Sequence, residues 1–146
     1  MTNTIAETQR IREASDPVWR ILTGTAAFGT GVFLCGSVGS YHPTDPSWNA
    51  ATGMDVQNLF GATGAILSDL ALQVFGFAAW MAGLSLMVGG AMRTVLIGAP
   101  KIRRWLYGAA FIPALAGALA AFPIPASWPF KASLGGTAGD WIYDIA

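Results

Sequence analysis

Two aspartates in apolar surroundings, Asp69 and Asp144, are the side chains best placed to do chemistry. A carboxylate inside a hydrophobic helix holds a proton or a cation when nothing else neutralises it, so such acids mark functional sites by default. Both close the same pattern. Gly136, Gly139, Trp141, Ile142, Asp144 and Ile145 repeat the spacing of Gly61, Gly64, Ile66, Leu67, Asp69 and Leu70. Against an ion site, Asp69 falls in the first turns of its helix, just after a polar loop. There water is within reach and the positive end of the helix dipole favours a negative group. Gln73, four residues on, shares its face and can share a polar contact. A structural role is the better reading.

Other candidates are weaker. His42 and Asp45 suggest a metal or acid–base pair, but one His with no second His and no Cys nearby makes a poor ligand set. In Asp45-Pro46-Ser47-Trp48 the expected role is shaping, with Asp45 and Ser47 bonding local backbone N–H groups. Cys35 is the single cysteine, so no internal disulfide is available, and its apolar setting makes it a small buried hydrophobe. Arg93, Lys101, Arg103 and Arg104 form a basic patch with no acid among them. No Gly-x-x-x-x-Gly-Lys-Ser/Thr loop exists to cradle a phosphate. No metal, cofactor or catalytic constellation is expected.

The elements that carry these residues are set by composition. The 146 residues are 53% hydrophobic and only 11% charged, with 18 glycines and zero net charge. A soluble domain needs about 25% charged residues to coat its surface. The mean hydropathy of +0.50 places the chain in a membrane instead, and zero net charge gives no electrostatic case for nucleic acid.

Residues 1–17 are a polar tail, a short amphipathic helix over Thr8–Ser15 or disorder, with Pro17 marking the join to the membrane domain, 18–146. Trp19 and Arg20 anchor it at the interface. The first span, 21–38, has no charge and is just long enough to cross; Gly24, Gly29, Gly31, Gly36 and Gly39 make it thin enough for a neighbouring helix to approach. A cleaved signal peptide is the rival, but the apolar run is longer than a signal core. An outer loop (40–60) follows, then a second span (66–88), with Gly61 and Gly64 easing the turn into it. A basic cytoplasmic loop (89–104), a third span kinked at Pro113 (105–122) and a second outer loop (123–140) complete the order. The second glycine pattern then leads toward a fourth span that is cut short at Ala146. The expected fold is all-α, a polytopic membrane helical bundle of three spans plus the start of a fourth, in two similar helical-hairpin halves. Seven of the eight Lys/Arg fall in the tail and the middle loop, with only Lys131 opposite. The amino terminus is therefore expected in the cytoplasm, in a bacterial inner membrane.

This order of parts resembles the four-span amino-terminal membrane domain of the FtsK/SpoIIIE family of DNA translocases. The resemblance rests on Tyr-His-Pro-Thr-Asp-Pro-Ser-Trp (Tyr41–Trp48), on Asn58, Gly61, Gly64, Ala65, Leu67, Asp69 and Leu70, and on Phe75-Gly76. Gly135-Gly136 to Ile145 looks like that family's approach to its fourth span. The resemblance implies an anchor at the division septum, acting in cell division and chromosome segregation. It implies self-association and contacts with lipid and other division proteins, with no nucleic-acid contact by this segment. The linker and ATPase motor are missing from the 146 residues, so no enzyme activity is expected of them. The alternatives are a small accessory multi-span subunit of a larger inner-membrane complex, or a repeat-built transporter using Asp69 and Asp144.

Overall fold

A computed structural model describes the backbone of residues 2–48, 52–95 and 102–146, and the side chains of 17–48, 52–95 and 110–146. Five α-helices make up the described chain: α1 (Thr2–Gly39), α2 (Gly61–Phe75), α3 (Ala79–Val95), α4 (Ile102–Ala120) and α5 (Gly136–Ile145). A 3-10 turn, Gly76–Ala78, joins α2 to α3. No strand occurs among the described residues.

The burial pattern is that of a membrane protein. The buried apolar side chains are few and mostly small: Val38, Ala65, Leu72, Ala78, Ala79 and Ala116. The largest fully buried side chains are Ser37 and Ser68, whereas Ile21, Leu22, Phe28, Val32, Leu84, Val88 and Phe111 are exposed. In water this would leave the apolar surface unpaid for; in lipid, where tails are as apolar as Leu, helices associate through small residues and internal polar contacts. Two stretches are long and apolar enough to cross a bilayer, Pro17–Gly39 and Gly61–Val95, and Ala110–Ala120 is a shorter apolar helix.

The centre of the fold is the antiparallel pair of α1 and α3. The backbone at Gly24 lies against Gly90 and Thr94, and Gly31 against Gly83 and Met87, so that a Cβ on any of these glycines would strike the facing helix. Gly39, at the end of α1, meets Trp80 in the first turn of α3. The pairing therefore runs the whole length of α3. Glycines seven apart on both helices stay on one face, which brings the two backbones into contact. Arg93 seals the far end, its Nε donating to Thr23 Oγ1 at 2.6 Å. Gly29 faces nothing and takes no part.

Three boundaries differ from those the sequence suggests. No break marks the join at Pro17: α1 is continuous from Thr2 through it, although the stretch able to cross a bilayer begins there. Proline there removes only one helical hydrogen bond, and the apolar helix on its far side is long enough to carry the turn. The single span expected over 66–88 is two helices broken at Gly76, where φ 55° and ψ −137° are open essentially to glycine alone. The break leaves the Phe77 N–H without a helical acceptor, and Leu134 O takes it at 2.9 Å. The broken backbone is thus satisfied by protein rather than by its own helix. The second outer loop is shorter than 123–140, because α5 begins at Gly136. Of the middle loop, α3 takes residues up to Val95 and α4 those from Ile102. Lys101 and the remainder of the loop lie outside the described residues, as do the side chains of Arg103 and Arg104.

Candidate functional site: a polar lock and its repeat

Polar groups gather at one end of the helices, where the loop between α1 and α2 folds back on α1. Asp45 is 4% exposed. It reaches across the loop, accepting from Gln57 N–H through Oδ1 at 2.8 Å and from Asn58 N–H through Oδ2 at 2.9 Å. The bonds expected to stay local thus close a loop of a dozen residues, from a turn in which Asp45 N–H itself bonds back to His42 O at 3.1 Å. Asn58 is as deeply buried and is fully used. Its Nδ2 donates to Ser37 O at 2.9 Å and Ser40 O at 3.3 Å, with Ser68 Oγ at 3.4 Å. Its Oδ1 accepts from Phe60 N–H at 3.1 Å. Ser40 Oγ accepts Leu59 N–H at 3.0 Å. One asparagine therefore joins the end of α1, the loop and α2. Gly64 is glycine because the Asn58 amide fills the space its Cβ would occupy. Ser47 sits beside this clamp, and Trp48 projects outward, 79% exposed.

His42 Nδ1 lies 2.8 Å from Thr44 Oγ1, within the same turn. Among the described residues no three His, Cys, Asp or Glu side chains gather in a way that would hold a metal.

Asp69 is buried against the same loop. Gln73 Nε2 donates to its Oδ2 at 2.8 Å, the i+4 contact foreseen above, and the Tyr41 hydroxyl hydrogen-bonds it from the loop. Burial, then the Asp69 charge and hydrogen bond, then Asp45, push the Tyr41 phenol up to about 12. Tyr41 also starts a chain of aromatic contacts. Its ring lies 5.3 Å from Phe130, Phe130 5.3 Å from Trp128, and Trp128 5.0 Å from Phe77 at the helix break. Trp128 Nε1 is held by Ala132 O at 2.9 Å. The second outer loop is thereby packed onto the first.

The repeat is visible in the backbone. Gly61 and Gly136 both take positive φ, 64° and 69°, a conformation that glycine adopts without penalty. Each donates its N–H three residues back, to Asn58 O and Ser133 O, at 2.9 Å in both. Gly64 and Gly139 bond Phe60 O and Gly135 O at 3.3 and 3.2 Å. Phe60 N–H goes to the Asn58 side chain, and Gly135 N–H to Ser133 Oγ at 3.1 Å. The copies diverge in their acids. The N–H opening the first copy is held by Asp45, whereas that of the second, Ser133 N–H, is held by Asp140 at 3.3 Å. Asp69 is 8% exposed, but its counterpart Asp144 is exposed. Gly136 packs against Val74 and Gly76, so the entry of the second copy docks on the break in the first.

The lock lies inside the stretch that matches a known membrane domain. The family described as the 4TM region of DNA translocase FtsK/SpoIIIE matches residues 17–146. The chain belongs to this family. Among its relatives, the DNA translocase FtsK of Caulobacter vibrioides is 38% identical over 115 residues, 75% of this chain and 14% of the relative. That of Brucella suis is 34% identical over 129 residues, 86% of this chain and 15% of the relative. That of Bradyrhizobium diazoefficiens is 28% identical over 134 residues, 89% of this chain and 16% of the relative. The chain thus spans about a seventh of the length of the FtsK proteins it matches, within their membrane region. No solved structure matches it. Apolar helices and family agree that this FtsK-type chain is a membrane domain. Asn58 is the residue whose importance sequence reasoning undervalued. Apart from its place in the family resemblance, its signal was an amide two residues before an aromatic-glycine turn, the place where an Asx turn forms.

Proposed function

We propose that this chain is the septal membrane anchor and self-association domain of a DNA translocase acting in cell division and chromosome segregation. The observation that carries the reading is the match of the 4TM region over residues 17–146, alongside relatives named DNA translocase FtsK. The structure supports it by what it offers chemically: polar side chains turned inward to lock loops and helices, and apolar side chains turned outward to lipid and other helices. In this reading the domain's work is to hold position. The amino terminus and the Arg93 end of the α1–α3 pair lie on the cytoplasmic side of the inner membrane in this reading, with the lock outside, because cations concentrate at that end.

A fluorescent fusion of the 146 residues, expressed in an alphaproteobacterium such as Caulobacter, tests the proposal. It should gather at the division site and form higher-order oligomers in single-molecule bleaching counts. Even distribution around the envelope, or retention in a complex without division proteins, would reject the septal role and favour an accessory subunit.

A further inference from the structure

Both copies of the repeat place a helix across the outer end of its neighbour. From Phe60 to Leu72 the chain advances twelve residues, ~18 Å of helix at ~1.5 Å per residue. Over that stretch its contacts on the first helix move little: Phe60 meets Gly36 and Phe33, and Leu72 shares a buried cluster with Val38, while Asp69 meets Tyr41 in the loop just beyond. From Phe33 to Val38 is only ~7 Å along α1 by the same rise. The break that ends α2 then falls beside Gly39, because Trp80, in the next turn, already touches it. The crossing is made by α3 alone. The second copy is steeper still. Gly135, Gly139 and Ile142 of the α5 segment cover ~10 Å yet meet Ala116, Ala120 and Gly117 within little more than one turn of α4.

We propose that α2 and α5 do not cross the bilayer but form a platform in the headgroup layer of the outer leaflet, its occupant being lipid. Chemistry and position agree. Trp141 and Ile145, four apart and so on one stripe of α5, are 68% and 67% exposed, and Tyr143 is exposed beside them. Leu59 precedes α2, and Leu70 lies on its outer side, both exposed. Aromatic rings with a polar edge favour the headgroup level. The exposed apolar surface of α1, α3 and α4 runs up to the same level, so the lipid covering the spans is the surface on which the platform rests. Asp69 then sits at the depth of the headgroups, where its hydrogen bonds with Tyr41 and Gln73 are enough to hold it.

Depth-resolved quenching tests this in the 146-residue chain, reconstituted in phosphatidylcholine–phosphatidylglycerol vesicles. Cys35→Ala is combined with one cysteine at Thr63, Leu70, Trp141 or Ile145, or at Val32 or Leu84 on the crossing pair, each carrying an environment-sensitive dye. Headgroup nitroxide should quench the four platform labels more strongly than nitroxide at mid-acyl depth, and the order should invert for Val32 and Leu84. Stronger mid-acyl quenching at Leu70 or Ile145 would overturn the proposal, since those helices would then descend into the bilayer. So would quenching by neither lipid, which would mean water or a protein partner covers them. Amide nitrogen shifts of labelled α5 residues in aligned bilayers give the same decision without substitution: in-plane values support the platform, transmembrane values reject it.

Discussion

Asp45 and Asn58 show how few side chains hold this end of the helices together. A carboxylate accepting two backbone N–H groups forms charge-assisted bonds, each worth about 1.5–3 kcal/mol when the acceptor is buried. Asp45→Ala leaves the Gln57 and Asn58 N–H groups unsatisfied and should cost about 3 kcal/mol of unfolding free energy in detergent. Asp45→Asn retains one acceptor and should lose less. A smaller loss for Ala than for Asn would reject the clamp. Tyr41 gives a second test at this scale. Its phenol is raised in the folded state, so the Tyr41–Asp69 contact is intact below the ordinary tyrosine value near 10. Its contribution is lost as pH rises from there to about 12. Ultraviolet titration should show a late-ionising tyrosine that disappears in Tyr41→Phe. Asp69→Asn removes the charge beside the phenol and should bring that titration back toward the ordinary range.

Among the helices, glycine identity carries the packing, and the individual glycines are not equivalent. Gly90→Val puts two methyl groups into the backbone of α1 at Gly24 and Phe28 and should cost about 3 kcal/mol or more. Gly29→Ala meets open space and removes a flexible point from a helix, so it should be neutral or stabilising by up to about 1 kcal/mol. Thermal unfolding of the pair separates the two cases. Gly76→Ala combines a forbidden backbone region with a clash against the Leu134 carbonyl and should be among the most damaging single changes. The thin first helix, the repeat with its two entry glycines and the Asp69–Gln73 contact were all legible in the sequence, because each depends on spacing within one helix or on residue type. The break at Gly76 was not. A lone glycine in an apolar run looks the same whether it lies in a helix or in a turn, and what decides is Leu134, nearly sixty residues away. The Asp45 clamp was missed for the same reason: its donors are distant in sequence and carry no side-chain signature.

At the scale of the whole molecule, the two halves meet at the Gly76–Gly136 contact and through the Tyr41–Phe130–Trp128–Phe77 chain of rings. Two polypeptides divided between residues 95 and 102 should therefore co-purify when expressed together. Trp128→Ala removes the middle of the ring chain at a cost of about 3 kcal/mol and should reduce the recovered complex severalfold. Unchanged recovery would place the adhesion between halves elsewhere.

The paired glycines of α1 and α3 also govern how the domain responds to traction along the membrane normal. Sliding one helix past the other by a heptad, ~10 Å, would replace two close glycine crossings with one. Smaller displacements put a side chain where none fits. A tug on the inner ends of these helices must then shear both crossings at once, so it is passed undiminished to the locked loops on the far side.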